Sequence, residues 1–109
     1  MKAIHYAGDI LLTGDAIADA VVQYAETLAV HETSASIDIP VLTEEGTTVV
    51  ASFLLGPASQ IVAVPAKSDQ QDPVDDTLVV DIELRRQKLN GMTVHNTDNS
   101  DGSAMDYDY

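Results

Sequence analysis

The side chains of this chain that could do chemistry are few and widely spaced. Residues 53–65, FLLGPASQIVAVP, set Gly56, Pro57, Ser59 and Gln60 between two apolar runs. A serine in such a loop suggests a nucleophile, and a Gly-Pro turn suggests a cradle for phosphate. The stretch lacks the G-x-S-x-G spacing of a hydrolase elbow and the lysine and glycine pattern of a P-loop. A plain strand-to-strand connection accounts for the same residues, because Gly56 tolerates unusual backbone angles, Pro57 fixes its own φ, and Ser59 can bond nearby backbone.

The remaining candidates are weaker. His5, His31 and His95 include no pair three or four residues apart, so no histidine metal site and no cofactor is expected. Asp9, Asp15 and Asp19, with Glu44 or Glu45, could surround a divalent cation, but they lack the alternating ligands and central glycine of an EF-hand. Solvated acids are the simpler reading. Any two carboxylates brought together by folding could act as a general acid and base, yet nothing selects a pair, and no residue is assigned a catalytic role. Arg85, Arg86 and Lys88 form a basic cluster that either grips a carboxylate or phosphate or complements the negative end of a helix. The terminal DYDY, residues 106–109, alternates acid and aromatic, as a docking segment does.

Composition narrows the function classes. A chain of 109 residues makes one domain with a small core, and domains of this size bury only about two-thirds of the surface of the unfolded chain. Eighteen acidic against five basic residues give a net charge of −13, which repels phosphate backbones and anionic lipid surfaces. Direct binding to nucleic acid or membrane is therefore not expected. The acidity serves either as a solubilising coat or as an attraction for a basic partner. With no cysteine there is no disulfide framework, which suits a reducing cytoplasm. The opening residues, MKAIHYAGDILLTGD, supply neither a signal peptide nor a spanning segment, so a soluble cytoplasmic protein is expected.

Hydrophobic spacing supplies the elements. Ile17, Val21, Tyr24 and Leu28 form one helical stripe over residues 14–30, with Thr13 positioned to cap it. Before that helix, residues 3–6 suit a short strand. Residues 37–42 alternate with a period of two, and Pro40 places that strand at a sheet edge. Residues 47–55 and 60–64 are apolar at both parities and want cover on both faces. Residues 67–72 read as a linker. A second helix over residues 73–90 is signalled by Asp72 and Pro73 at its start and by Asn90-Gly91 at its end, against a rival strand over 77–84. The acidic residues 91–109 read as a flexible tail. Residues 1–66 carry eight acids and one lysine, a charge of −7, so the acidity is not confined to that tail.

The expected architecture is a small α+β domain, residues 1–66, with an antiparallel sheet of three to four strands on an amphipathic helix, followed by the linker, the C-terminal helix and the tail. One helix covers one sheet face. Leu42, Val50, Leu54, Val62 and Val64 belong to the other face, and they form an apolar patch unless the second helix folds across it. The function expected is that of a non-enzymatic interaction protein, homo-oligomeric through this patch and able to meet a basic protein partner. Two alternatives stand beside it. One is a small-molecule-binding or hydrolytic domain with carboxylates near residues 56–60, and the other is a nucleic-acid mimic.

Overall fold

The computed structural model describes residues 1–94, with side chains through Gly91. The elements run β1 (Lys2–Tyr6), β2 (Asp9–Thr13), α1 (Asp15–Val30), β3 (Ala35–Leu42), β4 (Thr48–Leu55), β5 (Ile61–Pro65) and α2 (Asp76–Val94). This is an α+β fold with one antiparallel sheet ordered β4-β3-β2-β1-β5. The sheet has five strands, which corrects the expected three to four. The extra pairing comes from KAIHY and DILLT, joined by Ala7 and Gly8 with φ of 52° and 86°. Two consecutive positive φ values make the hairpin turn whose twist matches its strands. Alanine is an uncommon residue for the first of those positions, which is why the turn is hard to read from sequence.

The chain order also differs from the spatial order. β5 does not extend the β3–β4 hairpin but lies beyond β1, with Lys2 opposite Pro65 and Tyr6 opposite Ile61. β4 and β5 are the two edges. β3, expected at an edge, lies between β4 and β2 but meets β2 only where Leu12 faces Leu42. The Thr13 hydroxyl donates to the Pro40 carbonyl at 2.7 Å. In an antiparallel strand the N and C=O of one residue point to the same side, so the missing N–H of Pro40 faces past the end of β2 and interrupts no ladder.

α1 follows its expected stripe, with Ile17, Val21, Tyr24 and Leu28 buried against the sheet beside Ala18 and Ala25. Its cap differs from the sequence reading. Gly14 holds the N-cap position without a side-chain bond, and Thr13 is engaged by Pro40 instead. The helix ends in a Schellman arrangement, in which Thr33 N–H reaches the Leu28 carbonyl and Glu32 N–H the Ala29 carbonyl, with Glu32 at φ 53°.

α2 begins at Asp76 rather than Pro73. Asp75 accepts the Leu78 N–H at 3.0 Å, the geometry of an N-cap, while Pro73 is buried in the extended approach against Gly14. The helix passes through Asn90 and Gly91, and residues 77–84 are helical. The expected tail is helical over 91–94, and residues 95–109 lie outside the described part.

The core is a single cluster. Ile4 from β1, Ile37, Ile39 and Val41 from β3, and Leu55 from β4 meet the α1 stripe, and among the described side chains Ile82 is the fully buried one that α2 contributes. Each side chain of this size contributes on the order of 2 kcal/mol by leaving water. α2 lies alongside α1, with Leu78, Val79 and Leu89 half-buried between them. Both helices therefore sit on the same side of the sheet.

Candidate functional site

Register decides which strand residues share the face away from the helices. Val64, Ala3, Leu12 and Leu42 line up across β5, β1, β2 and β3, and Val62, His5 and Ile10 form the next row. Val50 stands opposite Pro40 and Leu54 opposite Ser36. The side chains that alternate with these, Ile4, Ile37, Ile39 and Leu55 among them, are in the core. Val50, Leu54, Val62, Val64 and Ile10 are 68%, 56%, 56%, 38% and 61% exposed, so large apolar groups on this face stand in water. Leu42 differs, being only 8% exposed, and supports the face from within.

The same face is nearly free of charge. Among its outward positions on the five strands, Asp38 is the one carboxylate. The other described acids lie on the helices, in the turns, in the segment before α2, and at Asp9 where β2 begins. Several of them are matched internally. The Met1 ammonium reaches Asp15 and Asp72, each at 2.8 Å, and Lys2 reaches Asp19 at 2.6 Å. On α2, Arg85 answers Asp81 at 3.1 Å and Arg86 answers Glu83 at 2.8 Å. Hydrogen bonding to Asp15, and then to Asp72, raises the Met1 amine above its ordinary pKa, and the ammonium in turn holds the Asp15 carboxyl below its own. Hydrogen bonding to Asp19 raises Lys2.

The basic cluster is thus largely occupied. Arg85 and Arg86 bond within their own helix, and because α2 runs on to Val94 they do not stand at its C-terminus. His31 instead caps α1, with Nε2 3.1 Å from Asn90 Oδ1, and so ties the end of α1 to α2. His95 and the DYDY segment lie outside the described residues. Among the described residues no three His, Asp or Glu side chains converge as metal ligands. Asp15 and Asp19, two of the acids considered for a cation, are turned to Met1 and Lys2.

The residues 56–60 loop borders a wide, open groove of about 880 Å³, lined also by His5, Tyr6, Ala7, Gly8, Ser34, Leu54 and Val62. Among the described residues no carboxylate lines it. Ser59 Oγ accepts the Gly56 N–H at 2.8 Å, and Ser59 N–H returns to the Gly56 carbonyl at 3.1 Å. The Tyr6 hydroxyl donates to the Leu54 carbonyl, so the 3.2 Å contact between Tyr6 and Ser59 uses the serine proton. With proton and lone pair both engaged, Ser59 acts as a clasp between β4, β5 and β1. The Tyr6 ring completes it, 5.3 Å from the Phe53 ring centroid.

Comparison of the chain with family models, with curated proteins and with solved structures finds no match. Sequence reasoning missed Ile10 on this face, and it did not anticipate that Val49, on the core-facing parity opposite Val41, is exposed. Ile10 belongs to a strand whose hairpin turn carries Ala7 at φ 52°, a residue type that does not signal such a turn. Val49 is 45% exposed because β4 is an edge, and the position of a strand within a sheet is not written in the strand itself.

Proposed function

We propose that this protein is a small, acidic, non-enzymatic interaction module that self-associates through the uncovered face of its sheet. The observation that carries this reading is that α2 packs beside α1, leaving Val50, Leu54, Val62 and Val64 exposed together with Ile10. Large apolar side chains exposed on one sheet face of a small domain mark a candidate interaction surface, here with Val50 and Leu54 on one edge strand and Val62 and Val64 on the other. Charge supports the same choice, since two copies of a chain at −13 approach most easily where carboxylates are fewest, and Asp38 is the one on this face. The acidic remainder acts as a solubilising coat and is the surface a basic partner protein would meet. Internal pairing of Asp15, Asp19, Asp72, Asp81 and Glu83 favours a coat over nucleic-acid mimicry.

Size exclusion with light scattering tests the proposal on three proteins. The wild type should exceed the 11.6 kDa of one chain. Val62→Lys should reduce the assembly, while Leu84→Lys, equally exposed but on α2, should leave it unchanged. An equal effect of both variants, or none from Val62→Lys, would remove the sheet face from the account.

A further inference from the structure

We infer that the free edge of β4 is a second self-association surface, pairing antiparallel with β4 of another copy about a twofold axis at Val50. The inference rests on the reading that the chain self-associates, but it uses main-chain groups rather than the sheet face. Pro40 opposes Val50, and the Pro40 carbonyl points to Thr13, away from β4. That pair is consequently a non-hydrogen-bonded one, and the N–H and C=O of Val50 point away from β3. Thr48 and Ser52 share its parity and its outward direction. Leu54 does too, and its carbonyl is taken by the Tyr6 hydroxyl, which closes the edge at that end. Among the described residues, nothing pairs with the outward backbone donors and acceptors of Thr48, Val50 and Ser52, which lie on an exposed strand.

Natural edge strands are usually blunted by charge, proline, a bulge or short length. β4 has none of these. It is eight residues of TVVASFLL, uncharged in a chain with 18 acids. The other edge, β5, has five residues and ends in Pro65. The occupant that fits β4 is a second copy, because the twofold places Val50 against Val50, Thr48 against Ser52 and Val49 against Ala51. Paired β-branched and paired hydroxyl side chains are favourable cross-strand neighbours. The same register carries the acidic Glu44 and Glu45 turn of one copy toward the Leu55 end of the other, so the two acidic turns stay apart.

Ser52→Pro tests the edge. Its N–H serves no bond to β3, so proline removes an intermolecular donor while leaving the internal ladder intact. Light scattering should show Ser52→Pro reducing the assembly without abolishing it, Val62→Lys doing the same, and the double variant running as a monomer. An unchanged mass for Ser52→Pro with a native circular dichroism spectrum overturns the edge pairing and leaves the face proposal standing. An unchanged mass for Val62→Lys does the reverse. A wild-type monomer overturns both. Should proline unfold the strand, a cysteine scan decides instead, against a background without native cysteine. Val50→Cys in the Val62→Lys background should oxidise to a covalent dimer, since facing residues of a bonded antiparallel pair lie about 5.5 Å apart at Cα, within disulfide reach. Val80→Cys on α2 should not, and equal cross-linking by both would refute the pairing.

Discussion

Replacing Gly14 tests why α2 ends up beside α1 rather than across the sheet. An added Cβ at this position would lie 2.2 Å from the Pro73 carbonyl oxygen and 3.4 Å from its carbon. The backbone angles of Gly14, φ −67° and ψ 157°, are open to any residue, so the conflict is steric alone. Relief requires moving main chain at Asp72 and Pro73, where Asp72 is held by the Met1 ammonium and Pro73 is buried. Overpacking of this kind costs about 1–3 kcal/mol, and alanine is also a poorer N-cap than glycine, so Gly14→Ala should lose about 2–3 kcal/mol. For a domain of this size each kcal/mol lowers the melting temperature by about 4–8 °C. Gly14→Ser makes the test sharper. Serine is among the best N-cap residues, so capping alone predicts a gain, whereas contact with Pro73 predicts a loss of about 1–3 kcal/mol. Urea unfolding of the two variants reads the sign directly. A serine variant as stable as the parent, or more so, would refute the close approach.

Three further perturbations probe the same frame. Glu32→Gly should stabilise the protein by about 1 kcal/mol in thermal or urea unfolding, because glutamate at φ 53° is strained where glycine is not, and the change also removes an acid from the negative end of α1. Ile82→Ala should cost about 2–5 kcal/mol, with accelerated amide exchange in α2, since this is the fully buried contact by which that helix is held. The junction of β1, α1 and the α2 approach should lose stability in both pH directions. The Met1 amine is raised, so its contribution is complete below about pH 8 and is lost as pH rises through the folded value. Asp15 is lowered, so its contribution is complete above about pH 4 and is lost as pH falls through the folded value. In protein with a free Met1 amine, Asp15→Asn should flatten the melting-temperature profile on the alkaline side, and an unchanged profile would count against the ion pair.

What was legible in the sequence was what periodicity encodes. The stripe of Ile17, Val21, Tyr24 and Leu28 and the alternation of Ile37, Ile39 and Val41 each reflect a single element meeting a single apolar surface. Parity also groups Leu42, Val50, Leu54, Val62 and Val64, and in the registers these positions alternate with the core residues of their strands, Leu42 being itself buried. The order of strands did not follow. β5 joins β1 rather than β4 because pairing is decided by the whole sheet, and the β1–β2 hairpin was hidden by an alanine in a left-handed turn position. Helix boundaries moved for local reasons. Asp75 outcompeted Asp72 as a cap because Pro73 is held against Gly14, and a single glycine at position 91 did not stop a helix already under way. The residue types at 56–60 predict a connection, and the bonds of Ser59 to Gly56 and Tyr6 give that connection its chemistry.

Both proposals require more than one copy of the chain in the working particle. Sedimentation equilibrium of the wild-type protein from sub-micromolar to tens of micromolar measures this without labels or substitutions. Self-association predicts a mass that climbs with concentration from the 11.6 kDa of a single chain to a multiple of it. A constant 11.6 kDa across the whole range would contradict it.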